Sequence, residues 1–262
     1  MRALQFHLVL PLLIAVSAIS PLVSAQSVTV GGGASISLGA GTLNTGCGDL
    51  IIAPAGQLAV NSGAAIANRN VNISGGTLNG GSGLISLSGD WTNSGTFVAG
   101  SGLVEIIDGC GTSQSAVSGS SNFSRFSVAS SSAKRLLLQA GSTQRFIHSL
   151  ALNGVSGSRL EVRSTSAGSP ANFILQPGAN QAVSWVDVAD NDATGGQTIA
   201  PDDPDVFDSI DSGGALNWFR NLIRSGPVEI DTVPWPGLLL LGLIVVTAAR
   251  RYLPGRIAGP GV

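Results

Sequence analysis

The chain has 262 residues, a net charge of -2, 36 glycines and only 11% charged residues. That balance gives no electrostatic argument for a nucleic-acid or anionic-lipid surface. The plentiful Val, Ile and Leu argue against intrinsic disorder. What lies between the two apolar ends is about two hundred residues, enough for one domain with its own core.

Met1 to Ala25 reads as a secretory leader. Arg2 supplies the positive start, Leu8 to Ala18 the apolar run, and Val23-Ser24-Ala25 the small-residue cleavage pattern. Pro11 and the shortness of the run argue against an uncleaved anchor. Cleavage between Ala25 and Gln26 is expected, which exports the mature chain from the cytoplasm.

From Ser27 to Ile107, short runs with β character alternate with Gly, Asn and Ser. They include Val28-Thr29-Val30, Ser35-Ile36-Ser37-Leu38, Leu50-Ile51-Ile52, Val71-Asn72-Ile73, Leu84-Ile85-Ser86-Leu87 and Val104-Glu105-Ile106. Most alternate with period two, which sets one face on a core. Glycine between them supplies the positive φ that tight corners need. The expectation for 26–219 is an all-β parallel β-solenoid, each coil stacked on the last. An antiparallel β-sandwich is the alternative, since it too has short strands and frequent turns.

Trp91-Thr92-Asn93-Ser94-Gly95-Thr96-Phe97 and Gly100-Ser101-Gly102-Leu103-Val104-Glu105-Ile106 are similar to units of secreted bacterial β-helical and haemagglutinin-like surface proteins. The residues themselves assign Trp91 and Phe97 to the core, and Asn93 and Gly95 to a corner. Ser113 to Ser132 reads as a looser coil or an insertion. Strands resume at Arg135-Leu136-Leu137-Leu138, Arg145-Phe146-Ile147, Leu160-Glu161-Val162 and Phe173-Ile174-Leu175. Arg125, Arg135, Arg145, Arg159 and Arg163 read as solvated strand faces that discourage edge pairing. A stripe for a polyanion would need several of them on one face.

Val183-Ser184-Trp185-Val186-Asp187-Val188 is the last strong strand, and an acid-rich stretch follows it. Asp187, Asp190 and Asp192, with Asn191, are candidate calcium ligands because they offer hard oxygens at short spacing. They match neither an EF-hand nor a Gly-Gly-x-Gly-x-Asp array, and Asp and Asn are also ordinary turn formers. No other cofactor is expected. Leu216-Asn217-Trp218-Phe219 resembles the closing unit of secreted solenoids and would cap the core.

The residues give little support to catalysis. Clustered acids with Arg159 or Arg163 would suit a carbohydrate-active site, and a Ser-His-Asp site would have to use His148. No Gly-x-Ser-x-Gly elbow accompanies that histidine. The expectation is a non-enzyme. Cys47 and Cys110 are the only cysteines, and export favours a disulfide between them. Coils of about twenty residues would set them three coils, roughly 14 Å, apart, whereas a disulfide needs Cα atoms within about 7 Å. The bond therefore calls for longer coils or a departure from a simple stack.

Residues 220–232 read as a linker, 233–251 as a tripartite tail, and 252–262 as a short extension. The tail has Val233-Pro234-Trp235-Pro236, an uncharged run from Leu238 to Ala249, then Arg250-Arg251. The run is near the short limit for a membrane helix, and the arginine pair would act as a basic stop at headgroup level. This arrangement resembles the PEP-CTERM and IPTL-CTERM families, whose tails are handled by exosortase-type systems, with Trp235 where the motif has Glu. The resemblance implies a sorting protease or transpeptidase as partner. A plain membrane anchor that is never cut is the alternative. The expectation from sequence is thus an exported cell-envelope or surface protein, structural or adhesive, with extracellular polysaccharide or neighbouring surface proteins as partners and no nucleic acid. A polysaccharide-binding or polysaccharide-cleaving domain is the other reading.

Overall fold

The computed structural model describes residues 26–219. The expected leader with its Ala25 cleavage position, the linker, and the tail with its sorting motif, membrane helix and basic stop lie outside the described residues. Among the described residues no helix is long and apolar enough to cross a membrane.

The chain winds into a β-solenoid of about nine turns. One sheet collects a strand from every turn: Val28–Val30, Leu50–Ile52, Val71–Ile73, Trp91–Asn93, Gln114–Ser118, Arg135–Leu138, Leu160–Ser164, Val186–Val188 and Ile210–Asp211. A second sheet has only four strands, Ser35–Ser37, Gln57–Ala59, Thr77–Asn79 and Thr96–Val98. The third runs the length of the stack, from Thr42–Asn44 to Ala215–Leu216. Neighbouring strands in each sheet pair parallel, which excludes the antiparallel sandwich.

Registers set the coil length. The partners Val28↔Leu50, Leu50↔Val71 and Val71↔Trp91 give coils of 22, 21 and 20 residues, and Trp91↔Val117 lengthens the next to 26. Because side chains alternate across a strand, each register stacks like on like. Ile36, Leu58, Leu78 and Phe97 form one inward column of the second sheet. Val104, Phe126 and Leu150 form another in the third.

The cross-section changes after the fourth turn. The first four turns have three short faces. In the fifth and sixth, the first sheet runs through brief corners straight into the third, whose strands lengthen to Ser121–Ala129 and Thr143–Asn153. The corner at Gly119 admits only glycine: its φ is +76°, and a Cβ there would sit 2.0 Å from Asn93 O. In the seventh turn the long strand divides again, as Ala171–Leu175 and Asn180–Ser184 both pair with Thr143–Asn153.

Core filling follows the cross-section. The early turns are packed with aliphatics such as Leu50, Ile52, Leu58, Val60 and Ile73, all buried. From Trp91 onward a chain of touching rings takes over. Trp91 meets Phe97 at 4.8 Å and Phe123 at 5.3 Å, Phe126 meets Phe146 at 5.3 Å, Phe146 meets Phe173 at 4.3 Å, and Phe173 meets Trp218 at 5.6 Å. Trp91 donates its indole N–H to Ser121 Oγ, so the ring is buried without an orphaned donor. Trp218 and Phe219 are buried at the far end, where the sequence places a cap, while Leu216 stays half exposed.

Candidate functional site

The corner between the third and first sheets holds most of the chemistry. It includes Cys47 at the end of the first turn and Cys110 at the end of the fourth. These cysteines are bonded, with Cα atoms 5.4 Å apart. The two intervening coils have the expected length, 21 and 20 residues, but the fourth, which carries Cys110, lengthens to 26, so the bond is made by a local departure from a simple stack. The resolution lies in the corners. Asn68 to Val71 and Leu87 to Trp91 turn tightly, whereas Asp108 to Ser113 makes an excursion closed by the Gly109–Thr112 bridge. Cys47 and Cys110 both have positive φ, 70° and 47°. The excursion crosses the intervening turns at close range, since a Cβ on Gly109 would lie 3.5 Å from that of Ser88.

Beneath the excursion lies Lys134, fully buried. Its Nζ donates to Ser88 O at 2.7 Å and Thr112 O at 3.0 Å, with Thr112 Oγ1 at 3.2 Å and Ser115 Oγ at 3.4 Å. Thr112 Oγ1 also donates to Ser88 O. One ammonium thus ties together three successive corners. Burial lowers its pKa from the ordinary lysine value, and the charges of Asp108 and Asp90 offset part of that. Burial acts to raise the Asp108 carboxyl. Hydrogen bonds from the Ser131 backbone and the hydroxyls of Ser130, Ser132 and Ser131 outweigh it, so the pKa lies below the usual carboxylate value.

The candidate calcium ligands do not converge, and among the described residues no three His, Cys, Asp or Glu side chains are grouped to hold a metal. Asp187 pairs with Arg163 at 2.7 Å and accepts from Ser212 Oγ. Asp192 accepts from the backbone and hydroxyl of Thr194. Asp190 occupies a left-handed corner at φ 53°. The physical reason is period two combined with a corner: Asp187 lies outward on the first sheet, while Asp192 lies in the next strand of the third, Asn191–Asp192. These acids serve as turn formers and ion-pair partners. The same holds further on, where Asp203 caps the short helix Pro204–Phe207.

Nor do the arginines make one stripe. Arg135 pairs with Glu161 at 2.7 Å on the first sheet, and Arg125 on the third donates to Ser101 O. Arg159 donates to Asp208 O and lies 5.6 Å from the Trp185 ring centroid. Arg125 and Arg145 lie on strands of the third sheet and Arg135 and Arg163 on strands of the first, so the arginines are divided between two faces.

One contact escaped the sequence reading. Ser124 Oγ lies 3.0 Å from His148 Nδ1 across neighbouring strands. It forms at the bulge where register shifts between Phe123 and Arg125. Ser124 is 1% exposed, so its hydroxyl faces no open cleft. Period-two reading gives no sign of it, because a bulge breaks the alternation at that residue. A separate shallow groove of about 410 Å³ follows the corner between the second and third sheets. Gly63 and Gly83 line it, with Leu84, Leu103 and Arg125 towards one side.

The fold and this site define a parallel β-solenoid, three-faced in its first four turns and fastened along one corner by a disulfide and a buried lysine. No protein-family model, curated protein or solved structure matches the chain.

Proposed function

We propose that this chain is an exported cell-envelope protein with a structural or adhesive role, sorted or anchored through its C-terminal tail. The carrying observation is the regular stack itself. Thr29, Ile51, Asn72 and Thr92 stand in one outward column of the first sheet, a repeating ladder suited to lateral contact with neighbours. The leader at Met1 to Ala25 and the tail at Val233 to Arg251 support delivery to the envelope. In this reading the domain is not an enzyme: the acids are occupied in turns and ion pairs, and Ser124 is enclosed.

The test is the intact mass of the envelope-associated protein, with its C-terminal peptide identified, together with protease shaving of whole cells. A chain starting at Gln26 and shaved from intact cells supports the reading. A chain recovered from the cytoplasm with Met1 to Ala25 attached refutes it. An end near Val233 to Gly237 identifies a processed tail, and retention of Leu238 to Val262 identifies an anchor.

A polysaccharide-binding role is the second reading, favoured by the groove along Gly63 and Gly83 with Arg125 beside it. Glycan-array binding that weakens in an Arg125→Ala variant would support that role over lateral structural contact.

A further inference from the structure

At the first turn the stack stops with all three of its strand edges open among the described residues. Val28–Val30, Ser35–Ser37 and Thr42–Asn44 each pair only with the strand of the second turn. The second-sheet strand is exposed at all three positions. Its inward residue Ile36 is 37% exposed, whereas Leu58 and Leu78, next in the same column, are 1% and 0%. Val28, Leu38 and Leu43 are only partly buried against the core. The far end differs, since Trp218 and Phe219 close the ring column there.

The open backbone groups can be assigned. Gln57 N–H donates to Ala34 O, and Leu38 N–H donates to Ala59 O. In a parallel ladder alternate residues face the same neighbour, so Ala34, Ile36 and Leu38 face the second turn. Ser35 and Ser37 therefore present N–H and C=O groups to the open end. By the same rule Val28, which donates to Asp49 O, and Gly41, which accepts from Ala64, face inward along the stack. Thr29, Thr42 and Asn44 then face out. Unpaired strand edges of this kind invite another chain.

We propose that two mature copies join end to end through this first turn, about a twofold axis passing by Ile36. Two facing ends wind in opposite senses, so their strands meet antiparallel. A twofold axis at Ile36 sets Ser35 opposite Ser37 of the other copy, twice, which is a hydrogen-bonded pairing. It also brings Val28–Val30 onto the other copy's Thr42–Asn44, so all three edges gain partners at once. Head-to-tail stacking does not achieve this, because the second sheet ends at Thr96–Val98 and the last turn offers only two edges. Charge agrees with the choice. Residues 26–48 carry no charged side chain, so the one charge on the face is the α-ammonium that cleavage leaves at Gln26, whereas Asp202, Asp203, Asp205, Asp208 and Asp211 crowd the opposite end. The proposal rests on the exported reading, in which the mature chain starts at Gln26.

Ile36 and its symmetry mate would form a non-hydrogen-bonded antiparallel pair, with Cα atoms about 4.5 Å apart, within disulfide reach. The experiment uses the mature protein isolated from the envelope. Wild type is expected to sediment with twice the chain mass at high concentration. Ile36→Cys should form a covalent dimer on mild oxidation, and Val206→Cys at the opposite end should not. Ser37→Pro removes an outward N–H and should sediment as a monomer while keeping the β-sheet circular dichroism. A monomer at all concentrations, a ladder of longer species, or a dimer cross-linked by Val206→Cys and not Ile36→Cys would each overturn the proposal. Protease shaving reads the envelope assignment separately, so a surface-exposed monomer would overturn only the dimer.

Discussion

Reducing the Cys47–Cys110 bond is the sharpest perturbation available, because its size follows from topology. The bond closes a loop of 63 residues, and loop-closure entropy assigns such a cross-link about 4 kcal/mol at 25 °C. Most of that acts on the unfolded chain, which regains its freedom when the bond is cut. A solenoid is nearly one-dimensional, so the loss should fall mainly on the turns that the loop encloses. Those are the second to fourth turns, with the open first turn fraying beside them. Cys47→Ser with Cys110→Ser is therefore expected to lower the urea midpoint. Hydrogen exchange should quicken at Ile52, Leu58 and Ile73 and much less at Phe146 and Leu152. The protein itself is the control, since both regions are equally buried. A stability change below about 1 kcal/mol, or equal acceleration at Ile52 and Leu152, would refute the reasoning. The first would mean that the unfolded chain is not restrained by the bond. The second would mean that the stack unfolds as one unit.

Phe146→Ala should cost about 3–5 kcal/mol, because it opens the centre of the ring column, whereas Phe97→Ala, at its partly exposed start, should cost at most about 2 kcal/mol; paired urea titrations compare them. Lys134→Ala should cost about 2–4 kcal/mol by removing a fully buried side chain and leaving the Thr112 carbonyl without its donor, while Ser88 O keeps the hydroxyls of Thr112 and Ser115, read in the same assay. The Lys134 pKa is lowered in the folded state, so the unfolded chain binds that proton more tightly. Its contribution to stability should thus rise with pH from the lowered folded value towards about 10.4, and Lys134→Met should flatten this rise in melts recorded across alkaline pH. Asp108 has the opposite window: its contribution should persist above the ordinary carboxylate value and fade as pH falls through its lowered folded value. Gly119→Ala should cost more than Gly157→Ala by melting temperature. Both have positive φ, near +76° and +77°, yet only Gly119 faces Asn93 O, at 2.0 Å, while Gly157 has nothing within 4 Å.

The early strands of the first sheet were legible in the sequence because they carry two inward aliphatics each, as in Val28-Thr29-Val30 and Leu50-Ile51-Ile52. The second sheet was harder to see, since Gln57–Ala59 and Thr77–Asn79 bury one leucine apiece. A single apolar residue between polar neighbours has no period. Ser113 to Ser132 read as a looser coil or an insertion because serine masks alternation. Gln114–Ser118 and Ser121–Ala129 are nevertheless full strands whose Ser115, Ser121 and Ser124 are buried. Lys134 was invisible for a different reason. Nothing in Ser-Ala-Lys-Arg distinguishes a lysine turned inward from the solvated arginine beside it, and its acceptors come from turns up to 46 residues away. The calcium set was read from spacing along the chain, whereas a corner separates Asp187 from Asp192.

The two fastening devices occupy the place where the architecture most needs them. Three short faces give way to two long ones after Thr96–Val98, and the core must widen from aliphatic columns to stacked rings. A register slip there would move every later side chain to the wrong face. At this junction the excursion through Cys110 reaches back to the first turn. Lys134, on the fifth, reaches back to Ser88 on the third. Both contacts run along the stack and tie together turns that would otherwise touch only their neighbours. They therefore oppose slippage between the two cross-sections more directly than any added core contact within one turn. On this argument, loss of either fastener should first loosen the boundary near Trp91 and Val117, ahead of the aromatic end that Trp218 closes.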